Sequence, residues 1–342
     1  MSHNITEVNS LKLSMLDQAP ISSGKTARDA LQSSIKLAQL GEKLGYERFW
    51  IAEHHDLFGL ACSNPDVMLG VIGSQTEKIR IGAGAVLLPY YKPFRVAETY
   101  NLLATLFPGR VDLGLGRAPG GAAEVSLALS DNYLAQVNRY SQSIDELLNF
   151  LHDRFPEDDI YGKISPNPVP DSPPQTWLLG TSEKSALLAA EKGMNYAFGH
   201  FMTEADGPKV VETYRRHFQK TDSEPYVIIA VHVICADTNE KAKRIALSTL
   251  VWSLLQEKQM DGSLVVPSVD EAKHYVFTEK EKLRIDKMRK TMIIGDPETV
   301  KKKMEHLQEQ YQADEWMIVT ITHREADKFH SYKLLSEMWN KE

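Results

Sequence analysis

The run Phe49-Trp50-Ile51-Ala52-Glu53-His54-His55 sets a carboxylate and two adjacent imidazoles directly after four apolar residues. A strand buried on both faces is almost continuously apolar and carries polar groups only at its carboxyl end. In α/β folds ligands collect at that end. Neighbouring strand residues point to opposite faces. One histidine of the pair therefore enters a site, and the other faces away or supports it. An imidazole titrates near pH ~6.5, which suits proton transfer at neutrality. The arrangement points to an enzyme.

Three further segments carry groups that suit a ligand. Gly114-Leu115-Gly116-Arg117-Ala118-Pro119-Gly120-Gly121 runs from a strand end into a glycine-rich turn. Pro119 stands where a dinucleotide fingerprint needs its third glycine, so that fingerprint is absent. The bare backbone and the planar fork of Arg117 still suit a phosphate, although a tight turn with a surface arginine reads the same way. Gly180-Thr181-Ser182-Glu183-Lys184-Ser185 opens a helix, whose free N–H groups and dipole attract an anion. Ordinary N-capping by Thr181 or Ser182 explains the same residues. With Arg117 this segment describes a two-sided phosphate clamp. Gly82-Ala83-Gly84-Ala85 lies inside a strand, which suggests a bulge or a flat ring close to the backbone, or else tight barrel packing. His200 ends a strand and is a candidate by position, whereas His232 lies within one, where a satisfied core histidine is the commoner case.

Other chemistries fit poorly. Ala19-Pro20-Ile21-Ser22-Ser23-Gly24-Lys25-Thr26 nearly matches a phosphate-cradling loop. Ala19 replaces its first glycine and Pro20 removes a backbone donor, so a helix start explains it better. No His-x-x-x-His pair sits on a helix, and His54 and His55 cannot chelate one ion from a regular strand, so no metal site is expected. The G-x-S-x-G elbow of a serine hydrolase is missing.

The 342 residues are 42% apolar and carry a net charge of −7 with both signs interspersed. A large core is affordable, and a nucleic-acid surface, which needs a basic excess, is not expected. Two distant cysteines, Cys62 and Cys235, cannot build a disulfide framework. The first ten residues lack an apolar signal core, and no apolar run reaches the ~18 residues of a membrane span. A cytoplasmic protein without a membrane partner is expected.

Strand and helix patterns alternate from end to end. Strands are expected at 11–16, 49–52, 79–88, 111–115, 177–179, 196–198, 226–236 and 316–321, with helices between them. A long helical stretch covers 122–154, a surface connection 156–174, and a polar irregular segment with some helical patches 257–290. Eight strands alternating with helices imply a parallel sheet, either an open doubly wound one or a (β/α)8 TIM barrel. In a barrel, 257–290 is an insertion after strand seven at the active-site end, either a lid or a variable loop. The whole chain, 1–342, then forms one domain.

The chain resembles the flavin-dependent luciferase-like monooxygenases, the group containing the bacterial luciferase subunits. The likeness rests on Phe49 to His55, on Ile81-Gly82-Ala83-Gly84-Ala85-Val86-Leu87-Leu88-Pro89, on Pro93 to Leu103 with Glu98 and Asn101, and on Pro108 to Arg117. It spans essentially the whole chain and favours the barrel. It implies FMN at the carboxyl strand ends, taken up in reduced form from a separate flavin reductase, with O2 and a small organic substrate. It implies that His54 is catalytic and that Arg117 contacts the FMN phosphate, with Ser182 and Ser185 opposite. Gly180, Thr181 and His200 are further candidate contacts. Gly84-Ala85 matches a position where the family often has a non-prolyl cis peptide against the flavin ring. A homodimer is also implied. The luciferases carry an acidic residue at Thr181, a cysteine at Gly116 and a tryptophan at His200, so phosphate contacts differ and light emission is not implied. Alternatives are an F420-dependent hydride-transfer enzyme, which needs more basic residues at the mouth, and a non-catalytic flavin-binding protein.

Overall fold

The computed structural model describes residues 11–219, 224–258 and 265–339. Among them nine parallel strands occur: β1 (Lys12–Asp17), β2 (Arg48–Ile51), β3 (Arg80–Leu87), β4 (Val111–Gly116), β5 (Gln175–Gly180), β6 (Asn195–Gly199), β7 (Val227–Cys235), β8 (Met292–Gly295) and β9 (Glu315–Val319). Pairing runs in order from β1 to β7, passes from β7 to β9, and closes from β9 onto β1. Eight strands thus form a closed (β/α)8 barrel. The eighth barrel strand is β9; β8 lies alongside the carboxyl half of β7, from His232 to Cys235.

The helices follow from their caps and apolar stripes. α1 (Ala27–Leu44) starts where the Thr26 hydroxyl accepts from the Asp29 N–H at 3.2 Å, and ends at Gly45 with φ 79°. The phosphate-loop look-alike at 19–26 is thus a capped helix start. α2 (Pro65–Ser74) and α3 (Pro93–Leu106) each begin on a proline whose missing N–H costs nothing there. The stretch expected as one long helix divides into α4 (Ala123–Leu129), α5 (Tyr133–Asn138) and α6 (Tyr140–His152). Asn132 stops the run by capping α5 through the Ala135 N–H at 3.0 Å. α7 (Glu183–Glu191), α8 (Gly207–His217) and α9 (Asn239–Glu257) follow β5, β6 and β7.

The segment at 257–290, expected to be irregular with helical patches, holds α10 (Val269–Lys273) and α11 (Glu279–Thr291); its positions 259–264 lie outside the described residues. Both helices open on capping boxes, Ser268 with Glu271 and Thr278 with Glu281. That spacing is visible in the sequence and outweighs the polar composition. α12 (Pro297–Tyr311) and α13 (Glu325–Trp339) complete the chain.

Two apolar layers result. The larger lies between the barrel wall and the helices, around Phe49, Leu113 and Ile229. The smaller fills the barrel itself, with Leu16, Trp50, Trp177, Ile228 and Met317. Trp50 and Trp177 meet edge to face with centroids 5.4 Å apart. A Cβ on Gly82 would lie 2.7 Å from the indole nitrogen of Trp50, so the bare glycine is what admits this indole. At the amino end of the barrel, Arg48 donates to Glu315 at 2.7 and 3.0 Å and to Asp112 at 2.8 Å. Arg80 also pairs with Asp112. These balanced charges close the floor and leave the carboxyl end open for chemistry.

Candidate active site

The carboxyl ends of β2 to β5 border a cavity of about 420 Å³, a size typical of small-molecule sites. From β2 comes His54, whose backbone N–H donates to the Cys62 carbonyl at 3.0 Å. Its ring lines the cavity, and its Nδ1 is enclosed with no partner among the described residues. Burial, with the neighbouring His55 ring second, pushes its pKa down to about 4. The sequence suggests an ordinary imidazole near ~6.5; enclosure instead keeps the ring neutral at pH 7.

His55 points elsewhere; β2 ends at Ile51, so both histidines lie past the strand and the turn, not strand alternation, separates them. Its Nε2 donates to Glu53 at 2.8 Å. Glu53 also accepts from the Tyr91 hydroxyl at 2.7 Å and from the Leu87 N–H at 3.0 Å. Glu53 therefore orients His55, not His54. The backbone N–H of His55 donates to Gly120 at 2.9 Å and so pins the glycine-rich turn. Tyr90 holds the same turn through the Pro119 carbonyl at 2.6 Å, and Tyr133 through the Arg117 carbonyl at 2.7 Å.

β3 contributes Gly84 and Ala85, which line the cavity and are joined by a cis peptide bond. The pairing of β3 with β4 shifts register between Ala83 and Val86, the irregularity that glycines in a strand suggest. β4 delivers Arg117 to the same cavity through its pinned turn. β5 leads into Gly180, Thr181 and Ser182, which also line it together with Ser185. The serines form a cap for α7: Ser185 Oγ accepts from the Ser182 N–H at 3.1 Å and pairs with the Tyr196 hydroxyl at 2.9 Å. A side chain on Gly180 would collide with Ser185. The first N–H groups of such a helix lack intrahelical acceptors and favour anions.

His200 does not join this wall. Its Nδ1 lies 2.8 Å from the Tyr311 hydroxyl of α12. In its place the turn after β6 supplies Phe201 and Met202, and the end of β1 supplies Gln18. Gln18 was detectable from its place just past a strand end; Phe201 and Met202 were not. A guanidinium, a helix start and a free neutral imidazole converging on one cavity suit an organic molecule bearing an anionic group. Among the described residues no group of three His, Cys, Asp or Glu could hold a metal ion, and no helix is long and apolar enough to cross a membrane.

Fold and site together define a parallel barrel enzyme with its pocket at the carboxyl mouth. The chain belongs to the luciferase-like monooxygenase family, whose model matches residues 11–313. It is 40% identical over 331 residues to the uncharacterised protein YceB of Bacillus subtilis, covering 96% of this chain and 99% of that protein. It is 36% identical over 331 residues to the N-acetyl-S-alkylcysteine monooxygenase of the same organism, covering 96% and 98%. The crystal structure of apo-MsnO8 superposes with a TM-score of 0.82 at 30% identity, over 97% of this chain and 98% of that one. The oxygenating constituent of 3,6-diketocamphane monooxygenase of Pseudomonas putida, in complex with FMN, shares 21% identity at a TM-score of 0.72, over 96% of this chain and 97% of that one. An F420-dependent secondary alcohol dehydrogenase shares 16% at 0.70, over 96% and 99%. These last two likenesses show the fold alone.

Proposed function

We propose that the protein is an FMN-dependent monooxygenase, taking reduced FMN from a separate reductase and using O2 to oxidise a small organic substrate. The observation that carries this reading is the convergence of His54, Arg117 and the start of α7 on one cavity. Arg117 and the α7 start, with Gly180, Thr181, Ser182 and Ser185, would hold the phosphate from two sides. Gly84 and Ala85 would offer bare backbone to the ring. When bound, reduced FMN supplies the activation of O2 and the transfer of one oxygen atom. His54 holds a neutral ring at the cavity wall and takes up or returns the proton that oxygen transfer moves.

The whole chain acts as one domain, with α10 and α11 as a cover over the mouth. Val67 and Val71 on α2, and Leu102 and Leu106 on α3, are exposed apolar residues that support a homodimer. Two unbonded, buried cysteines suit a reducing cytoplasm. Light scattering should return twice the 38.5 kDa chain mass.

The decisive experiment titrates FMN and riboflavin into the protein and its Arg117→Ala variant. FMN binding should weaken about 10- to 100-fold in the variant, the value of a lost charge-assisted contact, while riboflavin binding stays level. Oxygen uptake with reduced FMN is then measured over thioethers, including N-acetyl-S-alkylcysteines, and over ketones, aldehydes and amines. Equal losses for both flavins would remove the phosphate assignment. Oxygen uptake that never exceeds the spontaneous oxidation of reduced FMN, with no product formed, would leave a flavin binder.

A further inference from the structure

Arg117 lines the cavity, yet among the described residues its guanidinium has no hydrogen-bond or ion-pair partner. Positions 117–122, between β4 and α4, form neither helix nor strand. The aim of the fork is therefore set by the backbone that carries it. That backbone is held at three carbonyls from outside the segment. The Tyr133 hydroxyl, at the start of α5, donates to Arg117 at 2.7 Å. The Tyr90 hydroxyl, just past β3, donates to Pro119 at 2.6 Å, and the His55 N–H donates to Gly120 at 2.9 Å. A side chain on Gly121 would collide with the His55 carbonyl, so the segment also lies close against the turn after β2.

The two tyrosines brace one another. Their ring centroids lie 5.1 Å apart, and His55 meets Tyr90 edge to face at 5.8 Å. The Tyr90 hydroxyl also lies 2.8 Å from Ser126 Oγ on α4. Since Tyr90 donates to Pro119, Ser126 is the donor in this second bond. His55 is tied to Glu53 at 2.8 Å, and Glu53 accepts from the Leu87 N–H of β3 at 3.0 Å. The Arg117 segment is thus fastened to the ends of β2 and β3 and to α4 and α5 largely by side chains. Neither tyrosine lines the cavity. A ligand there meets Arg117 and not the hydroxyls that aim it.

We propose that Tyr90 and Tyr133 are positioning residues: through the Pro119 and Arg117 carbonyls they hold the guanidinium ready for the anionic end of the ligand, and so set its affinity without touching it. A segment ordered before binding has less freedom to lose on binding, and the difference appears as affinity. Removing either hydroxyl releases one carbonyl and returns that freedom to the free protein. Naming the anion as the FMN phosphate rests on the monooxygenase reading; the coupling of the tyrosines to Arg117 does not.

The test uses the full chain. Tyr90→Phe and Tyr133→Phe, each alone and each combined with Arg117→Ala, are titrated with FMN and with riboflavin. Each single variant should weaken FMN about three- to tenfold, the scale of one hydrogen bond, and leave riboflavin binding level. In the Arg117→Ala background neither should cost anything further, because residues that act through one group are not additive. In the ligand-free protein, ¹⁵N relaxation should show Ala118 and Gly120 more mobile in both variants, with β4 unchanged. Riboflavin binding lost in step with FMN would mean a damaged cavity and would overturn the proposal. So would an FMN loss of the same size in the Arg117→Ala background, an unchanged FMN affinity, or an Ala118 and Gly120 as rigid as in wild type. If wild type binds no FMN while Ala118 and Gly120 still loosen in the variants, the positioning stands and the flavin reading falls.

Discussion

His54 and His232 are two imidazoles of one type in one predicament: each is enclosed, each has a nitrogen without a partner, and each is pushed down to about pKa 4 by burial. For His54 the consequence is catalytic. His54→Ala should leave FMN binding within a few-fold and lower turnover by roughly 10²–10⁴, the usual span for a general acid or base. Steady-state oxygen consumption checks this, and unchanged turnover would remove His54 from the chemistry. For both rings there is a consequence for stability. The unfolded chain protonates each ring near pH ~6.5, the folded chain only near 4. Between those values unfolding takes up protons, so stability falls as pH drops through that window and is unaffected above it. The loss for His232 should reach up to about 3 kcal/mol by pH 4. Urea unfolding between pH 7.5 and 4.5 measures it. His232→Phe should flatten the slope, and an identical slope in that variant would contradict the assignment.

At the scale of elements, the EHH motif divides its labour between site and support. His54 enters the cavity, while Glu53 and His55 tie β2 to the end of β3 and to the turn carrying Arg117. The insertion after β7 shows the same economy of local signals. Thr278 and Glu281 close a reciprocal cap at the start of α11, with Glu281 accepting from the Thr278 N–H at 2.7 Å. Thr278→Ala should destabilise α11 by about 0.5–2 kcal/mol. Amide hydrogen exchange should speed up in α11 while β2 and β3 stay protected. Equal acceleration across the barrel would show that α11 does not open on its own.

At the scale of the whole molecule, polarity is sorted along the barrel axis. The amino end is sealed by Arg48, Arg80, Asp112 and Glu315, and Arg48 also lies 4.8 Å from the Trp177 ring centroid. The carboxyl end carries the cavity bordered by His54 and Arg117. Replacing Arg48 by Met leaves Glu315 buried opposite an apolar chain. That should cost about 3–5 kcal/mol, since removing one partner of a buried pair strands the other. Chemical denaturation measures it, and a loss below about 1 kcal/mol would mean that the floor tolerates the unpaired charge.

Much of this was readable from the chain. α12 and α13 begin and end where their apolar spacing and prolines predict. One histidine of the pair enters the cavity and the other supports it, as the sequence suggested, although both lie past the end of β2 and the turn sets them apart; Arg117 and Ser182 were paired by their places at strand ends. These are short-range regularities, set by backbone geometry within a few residues. What escaped were meetings across long separations. Four-residue β8 is too short for a periodic signal, and the partner of His200 is Tyr311, over a hundred positions away. A cavity of about 670 Å³ beside the first, lined from β7, β9, α9 and α11, brings together residues from widely separated parts of the chain. Closure and register bring such residues together, and neither is encoded in any local window of sequence.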